Sequence, residues 1–250
     1  MLNDLKNRKF FNSFNRVEDL KKEFRELANP EQAEISQRFF KTRKGEYGEG
    51  DFFLGIKVPV QRQIAKKYLS LSFKELQELL NSKFHEERLI ALIILTNQYK
   101  KSKKDKLKKR QIFEFYLKNI SRINNWDLVD LSAPNIVGEF LQKEDTDILK
   151  QLAKSKNLWE RRIAIISTYN FIRKRNFGET LAISEILMKD QHDLIHKSVG
   201  WMLREIGKRN KGVLEIFLNQ RYKEMPRTML RYAIEKFPKE EREKYLKGEV

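Results

Sequence analysis

The sequence predicts an all-α fold, and three observations carry that prediction. Apolar residues recur at helical spacing along most of the chain, whereas the strict alternation that marks a half-buried strand is scarce. Only 5 prolines and 10 glycines interrupt the 250 residues, so long stretches lack the two residues that most often end helices. Candidate helices follow one another in pairs, with a new pair about every 35 to 45 residues.

The apolar periodicity places the predicted helices in order along the chain. They cover residues 17–27, 31–42, 60–69, 73–82, 86–100, 106–120, 126–131, 135–141, 145–153, 159–175, 177–188, 194–209, 213–219 and 227–237. Recurring pairs are typical of a HEAT-like helical-repeat solenoid, in which each unit buries its apolar face by stacking on its neighbours. We therefore predict one HEAT-like repeat domain over residues 1–250, with residues 1–44 as an N-terminal helical hairpin packed on the body. A non-repetitive helical bundle is the alternative.

The charge balance indicates a polyanionic partner. The chain carries 52 Lys and Arg against 35 Asp and Glu, a formal net charge of +17, and such a surface attracts nucleic acid. Because a solenoid offers a groove that suits a duplex, we predict a concave basic groove. An anionic membrane surface is the rival partner, but the longest apolar run, residues 89–95, is far too short to span a bilayer.

Several classes of protein are excluded or disfavoured. The sequence has no cysteine, which excludes disulfides, thiolate nucleophiles and zinc sites of the CxxC type. Walker, GxGxxG and GxSxG motifs are absent. His192 and His196 have the spacing of a metal-binding pair without an apparent third ligand, so we predict no metal. The stretch MLNDLKNRKFFNSF lacks the features of a secretory signal, and we predict a cytoplasmic, nucleoid-associated protein.

Two segments interrupt the helical rhythm. TRKGEYGEGD at 42–51 holds three glycines in ten residues and is predicted to be a loop that joins the hairpin to the body. KKSKKDKLKKR at 100–110 is a cationic connection. It could touch phosphates, and an ordinary solvated loop is the alternative.

The segment 193–208 has two opposite faces when its residues are placed at about 100° intervals. The apolar face, which should meet the core, consists of Ile195, Val199, Met202 and Ile206. The other side consists of Lys197, Trp201, Arg204 and Lys208. A tryptophan displayed among cations indicates a surface that packs against a nucleic-acid sugar or base while the cations hold phosphates. A tryptophan covered by a neighbouring repeat is the alternative.

The segment NNWDLVD puts an indole and a carboxylate on one helix face, because Trp126 and Asp130 are four residues apart. Phosphates repel a carboxylate, so one placed near bound DNA needs a reason to be there, and a cation in the substrate could be that reason. An N-alkylated purine is cationic, and its departure leaves oxocarbenium character on the deoxyribose. Asp130 would stabilise that charge, and the indole would attract it through cation–π contact. The alternative is structural, with Asp130 or Asp127 capping or salt-bridging a neighbouring helix.

Arg162 lies on a mostly apolar stripe, where an unpartnered guanidinium is costly to desolvate. The other members of the stripe are Leu158, Ile165, Tyr169 and Ile172. Its partner could be Asp130 or a phosphate. A side chain that snorkels to the edge of the core is the alternative.

Five blocks of the chain, in the same order, resemble the AlkD-like DNA glycosylases, the HEAT-repeat alkylation-repair family. The blocks are GEYGEGDFFLGIKVPVQRQIAKKY at 45–68, NNWDLVDLSAPNIVGEFL at 124–141, LWERRIAIISTYNFIRK at 158–174, HDLIHKSVGWMLREIGKR at 192–209 and MPRTMLRYAIEKFP at 225–238. Asn125 departs from the family pattern, which has a further aromatic residue before the tryptophan. The GEYGEGD loop resembles the corresponding loop of a sibling branch of this family.

The resemblance implies a curved stack of repeats whose basic concave face embraces duplex DNA. It implies hydrolysis of the N-glycosidic bond of cationic N-alkylated purines, of the 3-methyladenine and 7-methylguanine type, without base flipping and without a cofactor. Asp130 corresponds to the catalytic aspartate, and Trp126 and Trp201 to the sugar-facing tryptophans. Arg162 and Arg204 correspond to arginines that hold the DNA backbone. The predicted partner is duplex DNA with alkylated bases, bound by a monomer.

Two other functions remain open from the sequence. Because some relatives in this superfamily only bind DNA, the main alternative is a non-catalytic HEAT-repeat protein that binds damaged, branched or distorted DNA. The second is a helical scaffold for acidic proteins, a common use of solenoids.

Overall fold

The structure, a computed structural model, describes residues 16–250, and no strand occurs in that range. The all-α prediction is confirmed. The N-terminal stretch read above for a secretory signal lies outside the described residues, as does the beginning of the predicted hairpin over residues 1–44.

The helices follow each other with short connections. In chain order they are α1 Arg16–Glu26, α2 Pro30–Phe39, α3 Val58–Lys67, α4 Phe73–Leu80, α5 His85–Lys101, α6 Lys106–Lys118, α7 Trp126–Ala133, α8 Glu139–Leu141, α9 Asp147–Ala153, α10 Leu158–Ser167, α11 Tyr169–Arg173, α12 Gly178–Leu187, α13 Asp193–Gly207, α14 Lys211–Arg221, α15 Arg227–Ala233 and α16 Lys239–Lys247. A 3-10 turn covers Ile120–Arg122, and a π-helical turn covers Pro134–Gly138. Between residues 16 and 250, no helix combines the length and the apolar character needed to cross a bilayer.

The described residues divide into two compact units, 16–94 and 95–250. In the described part of the first unit, α1 packs against α4. The buried Glu86 carboxylate accepts backbone N–H bonds from Leu54, Gly55 and Ile56 at 2.9, 2.8 and 3.3 Å. This carboxylate therefore anchors the extended segment that follows the glycine-rich loop. The single domain over residues 1–250 and the packing of its hairpin stay predictions.

The second unit is built from stacked helix pairs. One row runs from α7 to α10, α13 and α15, each packed on the next. On the other side, α9 packs against α10 and α12, and α13 receives α12 and α14. The pairs begin at Trp126, Leu158 and Asp193, which are 32 and 35 residues apart. The helical-repeat rhythm is thus present, although it is slightly shorter than predicted, and the concave basic groove stays a prediction.

The π-helical turn continues α7 into α8, so the predicted break over residues 132–134 is wrong. Pro134 has no N–H to donate inside a helix, and the chain widens to a π turn instead of ending. The Asn135 amide donates to the carbonyl of Leu131 at 2.7 Å, which gives that carbonyl a side-chain partner. Turns of this type inside helices are frequent at functional sites.

The predicted helix over residues 159–175 is interrupted at Thr168, where α10 ends and α11 begins. The Thr168 hydroxyl and its backbone N–H both donate to the carbonyl of Ile165, at 2.7 and 3.1 Å. Side-chain bonds of this kind compete with the regular helical ladder. The interruption separates Arg162 on α10 from Tyr169 on α11.

Gly138→Ala is expected to destabilise the fold, because a Cβ at this position would lie 2.1 Å from the backbone oxygen of Ser167. Backbone cannot move aside cheaply, and overpacking of this kind costs about 1–3 kcal/mol. The melting temperature should fall by about 2–4 °C per kcal/mol. Gly212→Ala is the control, since its Cβ would meet only Asn210 Oδ1 at 3.6 Å. Equal melting temperatures for the two variants would contradict the prediction.

Candidate functional site

Asp130 and Arg162 form a two-pronged ion pair that joins α7 to α10. The Arg162 Nε donates to Oδ1 of Asp130 at 2.9 Å, and its Nη2 donates to Oδ2 at 2.8 Å. The remaining Nη1 donates to the carbonyl of Leu194 on α13 at 2.7 Å. One guanidinium therefore ties three successive helices of the same row. Of the partners considered for Arg162, the structure has Asp130.

This pair is largely withdrawn from solvent. Arg162 is 5% exposed, and the Asp130 side chain keeps 19% of its exposure. Burial raises the pKa of the Asp130 carboxyl above its ordinary value, while the charge and hydrogen bonds of Arg162 act in the opposite direction. The carboxylate is thus fixed in orientation and still reaches solvent on one side.

That open side faces a cleft of about 130 Å³. Trp201 of α13 and Tyr169 of α11 line it together with Asp130. The two ring centroids are 6.3 Å apart, with the ring planes tilted by 35°. The other lining residues are Pro134, Asn135, Ile166, Asn170, Arg173 and Met202. The cleft therefore presents one carboxylate and two aromatic rings to the same small space, a combination that attracts positive charge.

Trp126 lies at the first residue of α7, one turn before Asp130, and it is half-buried. Its backbone N–H donates to Oδ1 of the buried N-cap residue Asn125 at 2.8 Å. Trp126 is not among the residues that line the Asp130 cleft. The structure thus brings Asp130 and Trp201 together and leaves Trp126 outside the set of lining residues.

Helix α13 has the two faces that its sequence predicts. The four core-facing residues, all 0% exposed, are Ile195, Val199, Met202 and Ile206. On the opposite face Trp201 and Arg204 are half-buried and Lys208 is exposed. The His192 side chain caps the helix by accepting from the backbone N–H of Leu194 at 3.1 Å.

Each predicted cation of this face has an acidic partner within the chain. Lys197 pairs with Asp193 at 2.7 Å and Lys208 with Glu205 at 2.6 Å, while Arg204 pairs with Glu235. The partly exposed pairs are worth about 0–1 kcal/mol, so a phosphate can compete for these cations. Arg204 and Lys208 also line a separate cavity of about 250 Å³, together with Lys211 and Lys236.

The histidine pair is occupied in structural contacts. His192 caps α13, and the Nε2 of His196 contacts the carbonyl oxygen of Asp190. Burial lowers the pKa of His192, which favours its neutral form. Within residues 16–250, no group of three or more His, Asp or Glu side chains is arranged to hold a metal ion.

The residues that sequence reasoning missed are Tyr169, Asn135, Asn170 and Arg173. Tyr169 follows Arg162 by two helical turns, and the periodicity therefore predicts both on one stripe. Because that stripe is mostly apolar, it indicates core residues and not a cleft. Asn135 lies in the π turn and Asn170 follows the interruption at Thr168, and both line the cleft. Neither position can be predicted from local pattern, because it depends on tertiary packing. A signal for Tyr169 was present in its spacing, whereas the two asparagines carried none.

Comparisons with known proteins bear on the family and the fold of the chain. A family model described as DNA alkylation repair enzyme matches residues 20–237. A predicted DNA alkylation repair enzyme from Enterococcus faecalis is similar in structure, with a TM-score of 0.64, 17% identity, and 85% of this chain and 97% of that chain covered. No curated protein matches the chain.

Two structures from Streptococcus mutans are also similar. AlkD2 has a TM-score of 0.54 and 22% identity, over 90% of this chain and 98% of that chain. The protein smu.31 has a TM-score of 0.52 and 19% identity, over 87% and 95%. At these identities the likenesses establish the helical-repeat fold alone.

Proposed function

Because the chain belongs to the DNA alkylation repair enzyme family, we propose that it is a monofunctional DNA glycosylase for cationic N-alkylated purines in duplex DNA. The observation that carries the proposal is the cleft that Asp130 and Trp201 line together. Its carboxylate and its aromatic rings fit a substrate whose positive charge moves onto the sugar during the reaction. The proposed substrates are purines of the 3-methyladenine and 7-methylguanine type.

Asp130 acts by stabilising positive charge. The C1′–N bond breaks with its electron pair going to the cationic purine, which leaves as a neutral base and needs no added proton. The deoxyribose becomes an oxocarbenium ion, and a water molecule oriented by Asp130 adds its oxygen to C1′ and releases a proton. At a separation of about 4 Å and an effective dielectric constant of about 20, the carboxylate contributes roughly 4 kcal/mol, or about a thousandfold in rate. No metal or organic cofactor enters this scheme.

The size of the cleft favours contact with the sugar rather than capture of the base. Its volume of about 130 Å³ is well below the ~300–1,000 Å³ of typical small-molecule sites. An extruded purine nucleotide would need more room, whereas a deoxyribose edge fits against Trp201. We therefore assign Trp201 to packing against the deoxyribose while the base stays stacked in the duplex. We assign Trp126, which lies one turn before Asp130, to a second contact with the sugar.

The cations divide into two roles. We assign Lys197, Arg204 and Lys208 to phosphates of the backbone, because each is at least partly accessible and phosphate can replace the carboxylate that it pairs with. Arg162 is 5% exposed and donates to Asp130 and to Leu194. We therefore propose that Arg162 positions the carboxylate in place of the predicted phosphate contact. The proposed partner is alkylated duplex DNA, bound by a cytoplasmic monomer.

Incubation with methylated duplex DNA, followed by alkali, tests the proposal. A glycosylase leaves abasic sites that alkali converts to strand breaks, and we expect such breaks with the wild-type chain. One observation favours the alternative of a non-catalytic DNA binder: both oxygens of Asp130 already accept bonds from a buried arginine, as they would in a purely structural pair. Duplex binding without strand breaks would support that alternative.

The rate of base release is expected to depend on the ionisation of Asp130. Only the carboxylate stabilises positive charge, so the rate should fall as the pH drops through the pKa of Asp130. Because burial raises that pKa, the fall should begin at a higher pH than for an ordinary aspartate of pKa 3.8. Single-turnover rates over a pH series, with enzyme-free release subtracted, measure this. A fall centred at the ordinary aspartate value would contradict the raised pKa.

A further inference from the structure

A second cavity in the unit Leu95–Val250 is larger and far more basic than the Asp130 cleft. It encloses about 570 Å³ between the connection from α5 to α6, the end of α8 and the end of α11. Seven of its twelve lining residues are Lys or Arg, and two are Glu. The cationic segment 100–110 singled out in the sequence supplies five of these cations, which are Lys103, Lys104, Lys106, Lys109 and Arg110. Such a cavity attracts anions.

Two of its cations rest on aromatic rings. The Nζ of Lys109 lies 4.8 Å from the ring centroid of Tyr99, and the Cζ of Arg110 lies 5.2 Å from that of Phe140. Tyr99 is 1% exposed, and Phe140 is stacked on Phe113 at 4.2 Å. The rings therefore hold the cations in place, and they do not offer open faces on which a base could stack.

The two carboxylates do not neutralise the cavity. Glu139 accepts a hydrogen bond from the amide of Asn170 at 2.5 Å. Glu144 makes a longer contact with Arg110, at 3.4 Å, between side chains that are 43% and 52% exposed. An exposed pair of this kind contributes little, so an incoming anion can displace Glu144. The cavity is thus suited to bind phosphate groups through charge.

Hydrogen bonds join the lining of the cavity to the lining of the Asp130 cleft. Asn170 lines that cleft, and its amide reaches Glu139 of the cavity wall. Gln142, another wall residue, donates to the backbone carbonyl of Asn170 at 2.8 Å. We propose that this cavity is a phosphate-binding site that holds the DNA backbone beside the nucleotide seated at Asp130. The assignment rests on the proposed function for the presence of DNA.

The test compares two charge-matched double variants on an undamaged duplex. Lys109→Gln with Arg110→Gln removes the ring-supported cations. Lys189→Gln with Lys239→Gln removes two side chains that are 81% exposed and line none of the three cavities. Dissociation constants are measured over a salt series. We expect the first variant to lose about tenfold in affinity and its salt slope to shrink by about two, since each lost phosphate contact lowers the slope by ~0.9.

Further measurements separate the outcomes. Base release at saturating DNA should stay at the wild-type rate in the Lys189→Gln, Lys239→Gln control, because neither residue lines the Asp130 cleft or the basic cavity. A wild-type salt slope in the Lys109→Gln, Arg110→Gln variant, or an equal loss in the control, overturns the proposal. Binding of inorganic tripolyphosphate is measured by calorimetry. If the Lys109→Gln, Arg110→Gln variant loses this binding but still binds the duplex like the wild type, the proposal is overturned and the cavity is a site for a free anion. A changed slope with no base release by the wild type supports the phosphate site while rejecting the glycosylase.

Discussion

Asp130→Asn is expected to slow base release from a methylated duplex by about a thousandfold. The amide keeps the shape of the side chain and removes the negative charge that faces the cleft. Binding to an undamaged duplex should remain, because the backbone contacts we propose come from other residues. Single-turnover release under excess enzyme measures the first effect, and a direct binding titration measures the second.

Asp127→Asn is the matched control. It makes the same chemical change on the same helix, at a carboxylate that accepts from the backbone N–H of Leu128 at 2.9 Å and does not line the cleft. Release by this variant should stay close to wild type. If Asp130→Asn released bases as fast as the wild type, Asp130 would have no catalytic role, and the non-catalytic binder would become the better explanation.

Arg162→Leu is expected to destabilise the protein strongly. The substitution removes the two bonds from the guanidinium to the Asp130 carboxylate and its bond to the carbonyl of Leu194. Removing one member of a buried ion pair costs about 3–5 kcal/mol. We expect about 3 kcal/mol, because the Asp130 side chain is 19% exposed and can regain some hydration. The melting temperature should then fall by about 6–12 °C.

A double-variant cycle separates the pair from the size change. Asp130→Asn combined with Arg162→Leu should cost less than the sum of the single changes, with an interaction energy of about 0.5–3 kcal/mol. Arg231→Leu, at an exposed position of α15, is the control for the loss of an arginine and should melt near wild type. Strict additivity in the cycle would show that the two side chains do not depend on each other.

Periodicity predicted much of the second unit. It identified the buried stripe of α13 and placed Trp201 opposite that stripe, because an amphipathic helix announces its core face in sequence. Periodicity also named Asp130, 32 residues earlier in the chain, as a possible partner of Arg162. The choice between that ion pair and a phosphate contact required the packing of α7 against α10.

Other features lie beyond local pattern. The π turn at Pro134 and the interruption at Thr168 were missed, since both depend on hydrogen bonds that a hydrophobic pattern does not encode. Helix α16 was missed because only Tyr245 of it is buried, which leaves almost no apolar stripe to detect. The cavity beside the cleft gathers residues from 99 to 174, and no single segment reveals it.

The hydrogen bonds of Arg162 have a consequence for protein engineering. The guanidinium binds α7 through Asp130 and α13 through the carbonyl of Leu194. The carboxylate therefore has its orientation only when α7, α10 and α13 keep their relative positions. Transplanting residues 126–130 alone into another solenoid should therefore transfer Asp130 without its orientation. We expect the smallest transferable module to run from α7 through α13. Shortening a loop within this module should change the orientation of the Asp130 carboxylate, even where the loop lies far from Asp130.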